Sequence, residues 1–482
     1  MMKTILAFAI VLAACSDDAG PAFPVEQLQD PNTCLECHPT HHGDWSGSMH
    51  AYSTTDPVFR AMHKRGQRET NGQLGMFCVN CHAPMAVATG TITEANVKDF
   101  DFATLEPKDN GITCFFCHNV ERVNVDHNNP LQLAMDQTMR GGIKNPVDNK
   151  AHHSSYAELM DNDFDDNTSA MCGSCHDIVN PLDVHVERTF LEWQGSIFAT
   201  NSNKSARVSC GSCHMEPFDD VIADAPGVTS RPFGRHDHKF PAVDLALVDF
   251  PQRAEQDAAV RSFLEGSSKI VGPAKVPGTA PPGGICVQPN GIAVRIDGIA
   301  IGHNFPSGSA FDRRAWLEVV AYDAEVGGNV LFSSGAVPDG MDPEEIGDPN
   351  LLGLWDRAKK SDGSPAHFLW EVASIEDRLD DKGRHADVIT PATTNVPTEP
   401  EFDHSVKKLF MAAAPLGPQI QRVEARLLVR PLAYEVLRDL VDSGDLDASL
   451  IDQLQTLLVS KSTWLRSTQL SSTSGAPFCN PR

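Results

Sequence analysis

The 482 residues carry a formal charge of −25, from 39 Lys+Arg against 64 Asp+Glu, which excludes bulk electrostatic binding to nucleic acid or anionic lipid and favours a cationic partner. With 41% apolar and 21% charged residues the chain has a soluble globular composition, long enough for roughly three domains of about 150 residues. Thirteen cysteines and nineteen histidines are the unusual counts.

Taken in chain order, Met1-Met2-Lys3 is a basic start and Thr4 to Ala14 an apolar run. It is too short to span a bilayer and suits an export signal. The run ends at Leu12-Ala13-Ala14-Cys15, similar to a bacterial lipobox. Residues 1–14 therefore read as a lipoprotein signal peptide and Cys15 as the lipidation site. Residues 15–32 read as a tether rich in Asp, Pro and Gly. Ser16 behind the cysteine points to the outer membrane, facing the periplasm or the cell surface. No other segment reaches eighteen apolar residues, so the chain is expected to be anchored rather than spanning.

Ten of the cysteines form five Cys-x-x-Cys pairs: Cys34 with Cys37, Cys78 with Cys81, Cys114 with Cys117, Cys172 with Cys175 and Cys210 with Cys213. A histidine follows each pair at once, at His38, His82, His118, His176 and His214. Two thiols at this spacing can each bond one vinyl group of a haem, and the adjacent imidazole then lies under the iron, so the motifs predict five haem c groups. Structural zinc also uses paired Cys-x-x-Cys units but needs no histidine at the next position. About one haem per 36 residues leaves too little polypeptide to isolate each group, so the haems are expected to pack against one another and form much of the core.

The remaining histidines supply candidates for the second axial position. His50, His152, His153, His127, His185, His236 and His238 are the main ones, with His41, His42 and His63 further candidates. Met49, Met62, Met76 and Met85 lie near motifs but suit core packing better. Asp44-Trp45-Ser46-Gly47-Ser48-Met49-His50-Ala51 recurs as Glu192-Trp193-Gln194-Gly195-Ser196-Ile197-Phe198-Ala199, which suggests that haems one and two and haems four and five are related pairs. Phe198 replaces His50 in the second copy. His236 and His238 alternate along an extended segment, so one of them at most is expected to meet iron. The acidic run Asp161 to Asn167 lacks the glycine and glutamate of an EF-hand loop and reads as solvated.

After a helical stretch from Pro251 to Gly266, the Pro/Gly-rich residues 271–284 form a linker. Beyond it, Ile292 to Ile296, Arg314 to Tyr322, Asn329 to Ser333 and Gln421 to Arg430 alternate as half-buried strands. Leu432 to Ser443 and Ala448 to Val459 read as closing helices. Cys286 and Cys479 are expected to form a disulfide in an oxidising compartment. The fold expected is α+β and multidomain: a mainly α and irregular domain over 33–270 packed around haems, then a β-sandwich domain with terminal helices over 285–482.

The run Cys34-Leu-Glu-Cys-His38 with Trp45, Ser48 and His50 resembles the opening of multihaem cytochromes c related to the tetrahaem electron acceptor of bacterial ammonia oxidation. Cys78-Val-Asn-Cys-His-Ala-Pro84, Gly111 to His118 and Cys210 to Met215 are similar to motifs of the same group. Gly302-His-Asn-Phe-Pro306, Gly308, Arg314, Trp316 and Ser334-Gly335 resemble a module that often accompanies such domains. His303 of that module is a further candidate haem ligand.

The resemblance implies electron transfer between periplasmic or membrane redox partners, with basic proteins as the natural partners of so acidic a chain. The alternative is a multihaem oxidoreductase acting on a small nitrogen or sulfur oxyanion at one open haem. The C-x-x-C-K motif usual in ammonia-forming nitrite reductases does not occur. Five motifs also fall short of the eight haems of hydroxylamine-oxidising relatives.

Overall fold

A computed structural model describes residues 22–469 apart from 148, 162–165, 269, 271–283, 299, 377, 380–385 and 397–398. The signal peptide, Cys15, Cys479, most of the linker and part of the acidic run lie outside the described residues. Among the described residues, no helix is long and apolar enough to cross a membrane.

The architecture is mixed helix and sheet. Up to residue 250 the chain forms short helices joined by long loops and four two-stranded ladders, of which Thr138–Gly141 with His153–Tyr156 is parallel. The longest helix here, Pro57–Glu69, starts where the Asp56 side chain accepts from the Val58 N–H at 3.0 Å and Pro57 fills the first helical position. Hydrophobic clusters in this half are small and separate, centred on Phe59 and Val79, on Phe115 and Phe116, and on Phe190 and Trp193.

The C-terminal half has one large core. A five-stranded antiparallel sheet runs in the order Val330–Ser334, Arg314–Tyr322, Arg422–Arg430, Leu457–Leu465, with Leu352–Leu354 also paired to Arg314–Tyr322. It packs on a three-stranded sheet of Ser405–Met411, Gly291–Asp297 and Ile285–Gln288. Leu317 and Val319, Val423 and Leu427, and Ile292 and Ile296 fill the space between, as alternation dictates. Val260 and Leu264, from the helix Arg253–Ser267 ahead of the linker, join this core.

One predicted helix is corrected. Of Ala448 to Val459, only Ala448–Gln453 is helical, as a 3-10 turn, and Leu457–Leu465 is a strand. Leu457 and Val459 enter the core because the edge of Arg422–Arg430 offers a hydrogen-bonding partner. Tertiary pairing overrides an apolar spacing that suits either structure. Cys286 is disulfide-bonded.

The two halves meet where Val58 and Ala61 pack with Tyr434, Val436, Leu437 and Leu440 of the helix Tyr434–Asp442. Arg68 forms a two-pronged pair with Asp445 at 2.7 and 2.6 Å, and Arg65 reaches Asp439 at 3.0 Å.

At the base of the Tyr434 helix lies a buried ion pair. Asp342 accepts from Tyr434 N–H at 2.9 Å, Glu435 N–H at 2.8 Å and Arg430 Nη1 at 3.1 Å. Both charged side chains are only 1% exposed. Asp342→Ala strands the Arg430 guanidinium and uncaps the helix, so a loss of about 3–5 kcal/mol is expected. Denaturant unfolding measures it, and a loss under about 1 kcal/mol would show that the guanidinium finds water instead.

Candidate functional site

Each Cys-x-x-Cys-His unit folds as one helical turn, which brings both thiols and the imidazole to one side. The His38 and His176 N–H groups bond to the carbonyls of Cys34 and Cys172 at 2.8 and 3.0 Å, and that of His82 to Cys78 at 3.1 Å. Thr113 and Ser209 cap the turns of the third and fifth motifs. None of the ten motif cysteines forms a disulfide.

The five motif imidazoles share one arrangement. Nδ1 donates to Ile222 O at 2.8 Å from His38, to Ser53 O at 3.3 Å from His82 and to Arg140 O at 2.5 Å from His118. His176 donates to Glu187 Oε1 at 3.2 Å and His214 to Pro241 O at 2.9 Å. Fixing Nδ1 as donor leaves the Nε2 lone pair for a metal, the usual outer-shell arrangement of a ligating histidine. Burial holds His82 and His214 down to about 4, so both stay neutral. At His176 burial opposes the charged form, but the Glu187 carboxylate and nearby thiols outweigh it and raise the imidazole to about 9.

Two imidazoles bonded through Nε2 to opposite sides of one metal at about 2.0 Å stand with ring centroids roughly 6 Å apart. Four motif histidines face another histidine at that spacing. His38 faces His152 at 6.4 Å, while His118–His238, His176–His50 and His214–His303 are each at 6.3 Å. His152, His238 and His303 also donate Nδ1 to a carbonyl, those of His153, His236 and Asn304. The fifth, His82, faces no histidine among the described residues. Phe59 stacks flat on it at 4.2 Å and 6°.

The motifs lie against one another through their thiols. Cys34 contacts Cys114, Cys81 contacts Cys175, and Cys172 contacts Cys210. Cys117 lies within electrostatic range of Cys172 and Cys175. The fourth motif therefore borders the second, third and fifth, and the first borders the third.

Cys37 is half-buried. A distant segment crosses the first motif here: Cys37 O accepts from Asp224 N–H at 2.7 Å, and Ile222 O of the same segment accepts from His38 Nδ1 at 2.8 Å. Residues 222–224 thus lie across the first motif, whose Cys34 contacts Cys114 of the third. Cys213 is exposed at the end of the fifth motif, with Cys210 of its own motif within electrostatic range.

The donor sets fit haem c: paired thiols, an imidazole beside them held through Nδ1 and, at four motifs, a facing imidazole. A model of the cytochrome c552 family matches residues 46–204, a span that contains the second, third and fourth motifs. The solved penta-heme cytochrome c552 from Thermochromatium tepidum shares the fold. It is 18% identical with a TM-score of 0.56, and the match covers 92% of this chain and 100% of that one. No curated protein matches. Over residues 46–204 the chain matches the cytochrome c552 family, and its fold is that of a penta-heme cytochrome c552.

The other histidine candidates have separate surroundings. His153 is exposed on its strand, and His236 donates Nδ1 to Met215 O at 3.0 Å. His127 and His185 face each other, not a motif histidine. His41 lies between His38 and His238, at 5.7 and 5.0 Å. His63 is buried with Nε2 on Val97 O at 3.0 Å, the reverse of the motif arrangement. Sequence reasoning missed Phe59, the Phe240 ring 4.4 Å from His50 and the Glu187 contact, since no local pattern marks them.

The repeat is real, but its pairing is corrected. Trp45 Nε1 donates to Ile112 O at 2.8 Å and Trp193 Nε1 to Val208 O at 2.9 Å, each two residues before a motif. Ile112 N–H and Val208 N–H bond back to the carbonyls of His50 and Phe198, both at 3.0 Å. Each copy thus clamps the third or the fifth motif. The related pairs are one with three and four with five, matching the Cys34–Cys114 and Cys172–Cys210 contacts. The second motif is an insertion within the first pair.

Trp193→Phe removes the bond to the Val208 carbonyl together with part of the indole's volume. A loss of about 1–3 kcal/mol in denaturant unfolding is expected, from the unsatisfied part-buried acceptor and the lost packing. An unchanged midpoint would show that the clamp adds nothing to stability.

Proposed function

We propose that this protein is an electron-transfer protein carrying five haem c groups, one on each Cys-x-x-Cys-His motif. The four facing imidazole pairs carry this reading, because an iron held between two histidines is full and suits electron transfer. Haem c, when bound, supplies one-electron iron chemistry. The chain's own residues attach the groups through ten thiols, orient the imidazoles through Nδ1 and hold the motifs in contact. On this reading His50, His152, His238 and His303 would hold the iron together with the histidines of the fourth, first, third and fifth motifs.

The adjacency of thiols supports a branched arrangement. The fourth motif is the junction, and the first, second and fifth are its ends. The charge of −25 suits a basic redox protein as partner, docked in a salt-dependent way. Lipidation at Cys15 would hold the protein at the outer membrane, and the expected loss of membrane association in Cys15→Ser tests this; continued fractionation with membranes would overturn it.

A second reading rests on His82, which has no facing histidine among the described residues. This motif would be where a small oxyanion or a diatomic ligand reaches iron, making the protein an oxidoreductase there.

Mass spectrometry of the mature protein is expected to show five haem additions; four or fewer would break the cofactor reading. Low-temperature EPR of the ferric protein should resolve four bis-histidine low-spin irons and one of different signature. His303→Ala should turn one low-spin iron high-spin, and an unchanged spectrum would remove His303 from the ligand set. Salt-dependent electron exchange with a basic redox protein supports the relay. Turnover of nitrite or hydroxylamine at about 1 s⁻¹ or faster would transfer the function to the second reading.

A further inference from the structure

His127 and His185 face each other at the surface beside the fourth motif, with ring centroids 6.1 Å apart and planes at 61°. The spacing is close to that of the four axial pairs, but neither residue belongs to a motif, and neither ring touches a motif histidine among the described residues.

Both rings are fixed by their surroundings. His127 stands in the loop between the strands Val120–Val123 and Leu131–Leu133. In that loop Asn128 and Asn129 take φ of 56° and 51°, a left-handed conformation that asparagine tolerates. The Asn128 side chain and the Val179 backbone exchange two hydrogen bonds at 2.9 and 3.0 Å, and Asn128 N–H donates to Asp177 O at 3.1 Å. The loop is thereby tied to the ladder of Ile178–Val179 and His185–Glu187, which carries His185.

Each Nδ1 donates to a carboxylate, His127 to Asp126 at 3.0 Å and His185 to Asp177 at 2.8 Å. The other Asp177 oxygen accepts from Leu191 N–H at 3.1 Å, so this buried carboxylate cannot turn away. A carboxylate on Nδ1 fixes the tautomer with Nε2 as acceptor and makes the imidazole a better metal ligand. Neither Nε2 has a protein partner among the described residues. The side chains are 34% and 43% exposed, so an ion can reach them. No third histidine, cysteine or carboxylate completes a cage among the described residues.

We propose that His127 and His185 form a surface site for a divalent first-row transition-metal cation of the zinc or copper type, bound through both Nε2 atoms with water in the remaining positions. Imidazole donors select such ions over magnesium or calcium. An ion bound there joins the 124–130 loop to the ladder that follows the fourth motif and adds positive charge to an acidic surface.

The test is calorimetric titration of the haem-loaded, chelator-treated protein with Zn²⁺, with visible and EPR spectra of each variant. One Zn²⁺ per chain is expected, together with a rise in the unfolding midpoint by ligand linkage. His127→Ala and His185→Ala should each abolish both effects and leave the haem spectra unchanged, while Asp177→Asn should weaken binding about 10-fold or more. Zinc uptake equal in wild type and in the double variant would overturn the proposal. So would the appearance of a high-spin iron in either single variant, since that histidine would then be a haem ligand.

Discussion

The structure depends on how the motif imidazoles are held. An imidazole whose Nδ1 donates to an oxygen has its tautomer and orientation fixed and presents Nε2 as the acceptor. At all five motifs the chain satisfies Nδ1 with an oxygen and gives Nε2 no protein partner among the described residues. His152, His238 and His303 repeat the arrangement from the opposite side. The chain thus fixes the orientation of its rings by itself and leaves each Nε2 without a protein partner among the described residues. Its small, scattered apolar clusters before residue 250 agree with this, because they are too slight to organise the half alone.

The sandwich takes part in that arrangement. His303 comes from its Gly302-His-Asn-Phe-Pro306 loop and faces His214 of the fifth motif. The loop is held by Glu192, which accepts from Asn304 N–H at 3.2 Å and from Ser307 at 2.6 Å. Burial raises the Glu192 carboxyl to about 7, against the pull of Ser307 and Arg188. Glu192 occupies in the second repeat copy the place of Asp44 in the first, where Arg235 and Lys239 are the partners at 3.2 and 2.9 Å. One position thus anchors two different elements. Most of the sandwich's core is its own, with Val260 and Leu264 joining it from ahead of the linker, yet its contribution to the site is a single loop.

Much of this was legible in the sequence, for physical reasons that can be named. The motifs were certain because the attachment chemistry demands an invariant local spacing. The strands Arg314–Tyr322 and Arg422–Arg430 were legible because each buries one face, which imposes a period of two. Leu457–Leu465 was not, since its short apolar run fits helix or strand until a neighbouring edge decides. The facing histidines were candidates, but His152 reaches His38 from more than a hundred residues away and His303 reaches His214 from another domain. No local pattern encodes such a contact. Nor does one show that Cys34 contacts the third motif while residues 222–224 lie across the first. His127 and His185 looked like the rest in sequence and differ only in what they face.

The repeat shows the same limit and also explains the branched order. Sequence order placed the second motif beside the first, but the Trp45 clamp closes on the third, so the chain between them is free to leave and return. That excursion carries Cys78, Cys81 and His82 and the helix Pro57–Glu69, whose Phe59 stacks on His82. Two clamped pairs, one with three and four with five, account for four motifs and are joined where Cys117 approaches Cys172 and Cys175. Among the described residues the inserted motif then meets the fourth alone, through Cys81 and Cys175. It is therefore an end and not a link, and it is also the motif without a facing histidine among the described residues. A motif through which nothing else connects can leave its axial position open without interrupting the contacts among the other four.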